Sequence, residues 1–222
     1  MEQAKAIVDP RRCALLIIDM QNDFVTPGGY HHRQGRACEP MQAVIPAIQY
    51  LLRELPREVR IIHVVTNREP DGSDDHWRIH KLLPERTRVS GETLRPEHNV
   101  VRGTWGAEVV DGLRPRPEDH IIVKRRFSAF YQTDLEMLLR CWGINTLIFT
   151  GVLAEICVES TARDAFVRDF DIVIARDGVA SRDDNVLQAM LQLMGDAFGV
   201  VVPVAEMHSL FLPEHAGAGK NR

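Results

Sequence analysis

The sequence has few cysteines, no long apolar run and no excess of positive charge. Its four cysteines among 222 residues are scattered and form no C-x-x-C pair, so a disulfide framework is not expected in a chain of this size. The apolar run at residues 14–18 is five residues long, whereas a membrane-spanning helix needs about 20 apolar residues. No signal-peptide cleavage site precedes the body of the chain, so we expect a cytoplasmic protein without a membrane span.

Charge and composition exclude further classes of protein. The 27 basic and 31 acidic residues give a net charge of -4, whereas proteins that bind nucleic acids or anionic membranes usually carry a basic excess. We therefore expect neither a nucleic-acid partner nor a membrane partner. The chain is 45% hydrophobic and 26% charged, which is typical of globular proteins. The length allows one large domain or two small ones, and we predict a single domain over residues 1–222.

The hydrophobic pattern predicts strands that alternate with helices. Short apolar runs predict buried strands, and apolar residues at helical spacing predict helices. The predicted strands are residues 13–18, 59–65, 121–124, 146–150, 171–175 and 200–204. The predicted helices are residues 40–55, 133–143, 154–169 and 184–198. This alternation predicts a three-layer α/β/α fold with a parallel sheet, in which ligands bind beyond the carboxyl ends of the strands.

An acid, an ammonium group and a thiol stand at three of these strand ends. Asp19 follows the first strand, Lys124 ends the third, and Cys157 lies in the first turns of the helix after the fourth. Each residue alone is more typical of a cap, a solvated surface or a core position, but the three converge on one edge of the sheet. A helix N-terminus and a nearby lysine lower the pKa of a thiol, and Asp19 is a candidate to take the thiol proton. With backbone N–H groups of residues 151–157 as oxyanion donors, the pattern indicates acyl transfer to Cys157 followed by hydrolysis.

These segments resemble the isochorismatase-like cysteine hydrolases. The similar motifs are DMQNDF at residues 19–24, Lys124, and TGV and CVESTARDA within residues 150–165. They occur in the family's order, and the resemblance covers residues 13–204. It implies an isochorismatase-like hydrolase fold with six parallel strands in the order 3-2-1-4-5-6. It also implies a catalytic triad in which Asp19 is the base, Lys124 stabilises the thiolate and the transition state, and Cys157 is the nucleophile.

The same resemblance implies an oxyanion hole made by the backbone. It places a cis peptide bond between Val152 and Leu153, which would aim the Leu153 N–H, with that of Cys157, at the oxyanion. The family often has a threonine at the position that Ala154 occupies here, so a hydroxyl is missing from this turn. The backbone donors do not depend on that hydroxyl, and we expect activity with altered substrate contacts.

Metal and vinyl-ether chemistry are alternatives within the family. Its nicotinamidases bind a divalent metal through an Asp-x-His pattern plus a second histidine, and the one such spacing in residues 65–77 is Asp74-Asp75-His76. His76 and His80 are four residues apart and are the remaining metal candidates, but two solvated histidines are the simpler interpretation, so we expect no metal and no cofactor. Isochorismatases cleave a vinyl ether and typically lack the cysteine, so Cys157 favours C–N bond hydrolysis.

Three further segments resemble the branch of the family that contains biuret hydrolase. They are REPDGS at residues 68–73, GTWGAE at residues 103–108 and KRRFSAF at residues 124–130. The expected function is cysteine-dependent hydrolysis of a C–N bond in a small ureido or carbamoyl amide, biuret-like, through a thioester and with release of ammonia. Nicotinamidase, maleamate amidohydrolase and isochorismatase are alternative activities, and a non-catalytic binding protein on the same fold is the remaining alternative.

Aromatic and polar residues near the triad are candidates for substrate binding. Phe24, Trp105 and Phe130 are candidate walls of a small pocket, with core packing as the alternative for each. Gln21 and Glu155 are candidate partners for the N–H groups of a urea. For Glu155, the alternative is that its charge favours the positive end of its helix.

Two arginines, a long polar stretch and the oligomeric state complete the expectations. Arg125 and Arg126 are candidates to meet a substrate carboxylate, although a charged pair after a strand is usually solvated. Residues 67–103 are long for a loop without secondary structure and are a candidate to shape the site or close over it. Relatives in the family form dimers and tetramers, so the resemblance implies a homo-oligomer with a small amide or ureide as its substrate.

Overall fold

A six-stranded parallel sheet forms the centre of the fold. The structure is a computed structural model that describes residues 8–74 and 99–211. The strands are β1 (Cys13–Ile18), β2 (Arg60–Thr66), β3 (His120–Lys124), β4 (Thr146–Val152), β5 (Asp171–Ala180) and β6 (Val200–Val202). Every neighbouring pair is parallel, and the order is β3-β2-β1-β4-β5-β6. This confirms the predicted sheet and its strand order.

Helices and helical turns connect the strands. The α-helices of the described residues are α1 (Asn22–Val25), α2 (Tyr30–Arg33), α3 (Glu39–Ala43), α4 (Ile45–Glu54), α5 (Leu135–Cys141), α6 (Glu159–Phe166) and α7 (Asp184–Ala197). The 3-10 turns are Pro10–Arg12, Trp105–Ala107, Asp111–Leu113 and Val204–Leu210, and a π-helical turn spans Ala154–Val158. None of the helices within residues 8–74 and 99–211 combines the length and apolar character needed to cross a membrane.

Two predicted helices differ from those observed. The helix predicted at residues 40–55 is divided into α3 and α4, which meet at Val44. Pro46 stands in the first turn of α4, where its missing N–H is tolerated but where it cannot continue the hydrogen bonds of α3. The helix predicted at residues 154–169 begins as the π-helical turn and ends at Phe166. Apolar spacing predicts where a helix lies, but it does not show a break at a proline or a π-helical turn at the start of the helix.

An apolar cluster covers each face of the sheet. One cluster includes buried residues of α5, α6 and α7, and the other includes buried residues of α3, α4 and Val204–Leu210. Neighbouring residues of β1 point to opposite clusters, as Leu15 and Leu16 do, and every residue of β1 and β4 is buried. Burial on both faces explains the uninterrupted apolar runs and gives the three layers that the sequence predicts.

The order of the strands leaves a crevice at one point of the sheet. The chain runs from β1 outward to β3 on one side and from β4 outward to β6 on the other. At such a reversal, the connections after the two central strands diverge and leave room beyond their carboxyl ends. Asp19 follows β1 at this point, and the turn that contains Cys157 follows β4. The topology therefore brings the predicted reactive residues to one edge.

A glycine substitution in β4, compared with one in α7, tests how closely β4 must approach β1. Gly151 has a φ of 106°, and a Cβ there would overlap the backbone of Ile18. We expect Gly151→Ala to lower the free energy of unfolding by at least about 2 kcal/mol, because the added strain and overlap act together. In α7, a Cβ on Gly195 would meet only Val201 at 3.6 Å, so Gly195→Ala should raise stability by about 0.5–1 kcal/mol. Urea unfolding measures both, and equal midpoints for the two variants would contradict the geometry.

Candidate active site

The side chains of Asp19, Lys124 and Cys157 meet at the carboxyl edge of the sheet. Lys124 Nζ lies 2.8 Å from Asp19 Oδ2 and 3.4 Å from Cys157 Sγ. Asp19 and Lys124 are each 1% exposed, and Cys157 is 9% exposed. The ammonium group therefore stands between the acid and the thiol in one buried cluster.

Thr66 completes this cluster, although the sequence does not single it out. Lys124 Nζ donates to Thr66 Oγ1 at 2.7 Å, and Thr66 Oγ1 donates to Asp19 Oδ1 at 2.9 Å. Thr66 is the last residue of β2, which lies between β1 and β3, so its position at this edge follows from the strand order. Threonine is a common strand residue, which is why the sequence alone does not mark it as functional.

Gln21 hydrogen-bonds within the protein and supports the site, and its role as a partner for a urea stays a prediction. Its side-chain amide donates to the backbone oxygens of Thr66 and Ala107, each at 2.8 Å, and its oxygen accepts from the Thr66 N–H at 2.8 Å. The side chain is fully buried, and both amide N–H groups are used. Gln21 therefore joins the end of β2 to the chain before β3.

Asn22 and Asp23, two other polar residues of the DMQNDF motif, hydrogen-bond to the chain at residues 100–105. The Asp23 carboxylate accepts from the backbone N–H groups of Tyr30 and Val100, each at 2.7 Å. Asn22 Nδ2 donates to the Trp105 carbonyl oxygen at 2.9 Å. Because Asn22 and Asp23 lie three and four residues after Asp19, the motif fixes this segment relative to Asp19.

The three candidate aromatic residues have different surroundings. Trp105 is 49% exposed. Phe24 is half-buried, and its ring packs edge-on against the ring of His31 at a centroid distance of 5.0 Å. Phe130 is buried in the apolar cluster, 5.8 Å from the ring of Phe170. Phe130 is therefore a core aromatic residue, whereas Trp105 and Phe24 remain candidates for the pocket wall.

Arg125 and Arg126 are engaged within the protein. Arg125 forms ion pairs with Glu69 at 2.8 Å and with Asp74 at 3.2 Å. Arg126 donates to the carbonyl oxygens of Asp74 at 3.2 Å and Arg125 at 2.7 Å. The two arginines tie the chain after β3 to the chain after β2, and these contacts do not favour them as binders of a substrate carboxylate.

The turn after β4 carries the thiol. The peptide bond between Val152 and Leu153 is cis, and the Leu153 carbonyl oxygen accepts from the N–H of Ile156 at 3.1 Å. Cys157 lies within the π-helical turn, immediately before α6. The role of the Leu153 and Cys157 N–H groups as oxyanion donors stays a prediction.

Glu155 belongs to the same turn, and its charge acts on Arg182, an arginine that the sequence does not single out. The Glu155 Oε2 and Arg182 Nε atoms are both buried without a hydrogen-bond partner. The Arg182 guanidinium contacts the ring Nδ1 of His31, which is 7% exposed. Burial, reinforced by the positive charges of Arg182 and Arg36, lowers the pKa of His31 to about 2. The ring is therefore neutral at physiological pH.

Burial also decides the protonation of the thiol. Burial lowers the pKa of Lys124, but the negative charge of Asp19 and the hydrogen bonds to Asp19 and Cys157 outweigh it and raise that pKa above its usual value. Burial raises the pKa of the Cys157 thiol, and Asp19 raises it further, whereas Lys124 opposes both. This corrects the expectation of a lowered thiol pKa. The resting cluster holds a neutral thiol beside the Lys124–Asp19 ion pair.

The metal candidates lie outside the part of the chain that the structure describes, so they stay a prediction. Within residues 8–74 and 99–211, no group of three or more His, Cys, Asp or Glu side chains is arranged to hold a metal ion. His76 and His80 lie outside the described residues.

Comparison with known proteins gives the family. The profile of the Isochorismatase domain matches residues 13–206, and the chain belongs to the isochorismatase family. The ureidoacrylate amidohydrolase RutB of Methylorubrum extorquens is 31% identical over 220 residues, which cover 94% of this chain and 86% of that protein.

Solved structures of similar proteins agree with this assignment. An isochorismatase family protein from Desulfovibrio vulgaris is 35% identical, with a TM-score of 0.75 over 90% of this chain and 98% of that chain. An N-carbamoylsarcosine amidase from Thermoplasma acidophilum is 28% identical, with a TM-score of 0.68 over 88% of this chain and 98% of that chain. The similarity to proteins of this family therefore extends over nearly the whole fold.

The raised thiol pKa predicts how Cys157 reacts with iodoacetamide. Below its pKa, a thiol gains about tenfold in thiolate for each pH unit, so the alkylation rate of Cys157 should rise steadily from pH 7 to pH 9 without a plateau. Cys141 is exposed and serves as the comparison within the same protein, and it should react faster at pH 7. Mass spectrometry of the two peptides measures both rates. A plateau for Cys157 at neutral pH would mean that its pKa is lowered.

Proposed function

We propose that this protein is a cysteine-dependent amidohydrolase that cleaves a C–N bond of a small ureido or carbamoyl compound, with biuret-like compounds as the first candidates. The observation that carries the proposal is the buried cluster in which Lys124 stands between Asp19 and Cys157. The relatives support it, because they include proteins named as a ureidoacrylate amidohydrolase and an N-carbamoylsarcosine amidase.

The first half of the proposed reaction forms a thioester. Asp19 takes the proton of the Cys157 thiol as the sulfur attacks the carbonyl carbon, and the ammonium group of Lys124 stabilises the developing negative charge. The N–H groups of Leu153 and Cys157 donate to the oxyanion of the tetrahedral intermediate. Asp19 then gives its proton to the leaving nitrogen, the C–N bond breaks, and ammonia departs.

The second half hydrolyses the thioester. A water molecule attacks the carbonyl carbon while Asp19 takes one of its protons. The C–S bond then breaks, the acid product leaves, and the proton returns from Asp19 to the sulfur of Cys157. One amide and one water molecule thus give one acid and one ammonia, and the resting thiol is restored.

Ammonia release from a panel of small amides tests this proposal. The panel is biuret, triuret, ureidoacrylate, N-carbamoyl amino acids, maleamate and nicotinamide. We expect release from at least one ureido compound, and we expect Cys157→Ala to lower kcat by at least about a thousandfold because the nucleophile is lost. Cys141→Ala is the matched control, since Cys141 is exposed on α5, and it should keep wild-type activity.

Three outcomes would contradict the proposed function. One is near-wild-type activity of Cys157→Ala, and another is silence across the panel with a folded protein. Release from nicotinamide or maleamate alone would favour those alternative activities. Circular dichroism of each variant shows whether lost activity reflects lost folding.

A second substitution tests Thr66 as a positioning residue. Thr66→Val removes the hydroxyl that accepts from Lys124 and donates to Asp19, so we expect kcat to fall by about tenfold or more with KM little changed. Thr146→Val is the control, because Thr146 is a buried strand threonine at the start of β4, the end that lies away from the site. Steady-state kinetics on the best panel substrate compare the two. Equal effects of both substitutions would argue for a general loss of packing.

We also propose that the chain forms a homo-oligomer. Three exposed apolar residues support this proposal: Phe127 is 61% exposed, Tyr131 51% and Val167 71%. They border a surface groove of about 590 Å³. Apolar surface of this kind often marks a contact between proteins.

A further inference from the structure

Glu155 and Arg182 come from the same part of the carboxyl edge, next to the thiol. Ala180 in β5 pairs with Val152 in β4, at the last residue of each strand. Arg182 lies two residues beyond Ala180, and Glu155 lies three residues beyond Val152, in the turn that contains Cys157. The acidic side chain of Glu155 and the basic side chain of Arg182 therefore follow neighbouring strand ends at the carboxyl edge of the sheet.

Both side chains keep a buried polar atom that has no hydrogen-bond partner. These atoms are Glu155 Oε2, an acceptor, and Arg182 Nε, a donor. Burial and the charge of Arg36 lower the pKa of Arg182 to about 10, and the negative charge of Glu155 opposes them. The charge of Glu155 therefore acts on Arg182, although Glu155 Oε2 and Arg182 Nε do not hydrogen-bond to each other. Most buried polar groups are paired, so an unpartnered donor and an unpartnered acceptor that follow neighbouring strand ends indicate a place for a ligand.

His31 holds the outer end of Arg182. A guanidinium nitrogen of Arg182 contacts His31 Nδ1, and a neutral imidazole accepts there when its proton is on Nε2. The His31 ring also packs against Phe24, a candidate wall of the pocket. With its outer end held by His31, Arg182 keeps Nε–H for another partner.

We propose that Glu155 and Arg182 form a second recognition subsite that binds the edge of a ureide. The substrate would donate an N–H to Glu155 Oε2, and its carbonyl oxygen would accept from Arg182 Nε–H. A ureide presents these two groups side by side, whereas a carboxylate has no N–H and is repelled by Glu155. The inference rests on the proposed function, and it narrows the substrate class to compounds with a second amide or ureide unit, as in biuret.

Substrate preference tests this subsite. The probes are biuret and N-carbamoylglycine, and the readout is the ratio of their kcat/KM values. We expect a wild-type ratio of at least about ten in favour of biuret. Glu155→Gln should lower the ratio by about tenfold through KM for biuret, with kcat little changed, because the effect is on binding. Arg182→Lys keeps the positive charge but removes Nε, and it should raise KM for biuret by about tenfold.

Glu159→Gln is the matched control for these variants. Glu159 accepts from Arg163 on α6, and its substitution should leave the ratio unchanged. A ratio that Glu155→Gln does not change, with ammonia release still dependent on Cys157, would overturn the subsite but not the proposed function. A wild-type preference for N-carbamoylglycine would also overturn it, because the subsite would then bind a carboxylate.

Calorimetry on the Cys157→Ala protein separates binding from chemistry. Biuret should bind at millimolar concentration or below, and Glu155→Gln in the same background should weaken its Kd by about tenfold. If no ureide releases ammonia in the wild-type protein, the proposed function fails, but this titration still decides the subsite. Absence of biuret binding, or equal Kd values for the two proteins, would overturn the inference.

Discussion

The site depends on keeping the ammonium group of Lys124 charged in the protein interior. An unpaired ammonium costs several kcal/mol to bury, and here Asp19 at 2.8 Å and Thr66 at 2.7 Å offset that cost. The three residues end or follow β3, β1 and β2, which are neighbours in the sheet. The strand order is therefore what allows the ion pair to form. In the proposed reaction, Cys157 loses its proton beside this ion pair.

The segment after β1 combines reaction and support within a few residues. Asp19 has a φ of 52°, a left-handed conformation that an aspartate adopts more readily than most residues. This turn ends β1 and begins the run of buried polar side chains. Gln21 ties that run to the end of β2, and Asp23 ties it to Val100. A single motif thus places both the acid and one side of the site.

The sequence was sufficient for the sheet and for the meeting of Asp19, Lys124 and Cys157, but not for their surroundings. Strands buried on both faces leave uninterrupted apolar runs, and residues after such runs share one edge, which is why Asp19 and Lys124 could be predicted. Thr66 and Arg182 could not, because their roles come from contacts between elements far apart in the chain. The direction of the Cys157 pKa was also wrong, since a motif shows the neighbouring charges but not the degree of burial.

The two acidic and two basic side chains at this edge differ in how they are partnered. Lys124 and Asp19 are closed at 2.8 Å, so each satisfies the other without a ligand. Glu155 Oε2 and Arg182 Nε have no hydrogen-bond partner in the protein, so the proposed ligand would satisfy both. Filling the open pair with a ligand therefore need not disturb the closed pair. This separation would let a substrate be bound through one pair while the other keeps its charges for the transfer of the thiol proton.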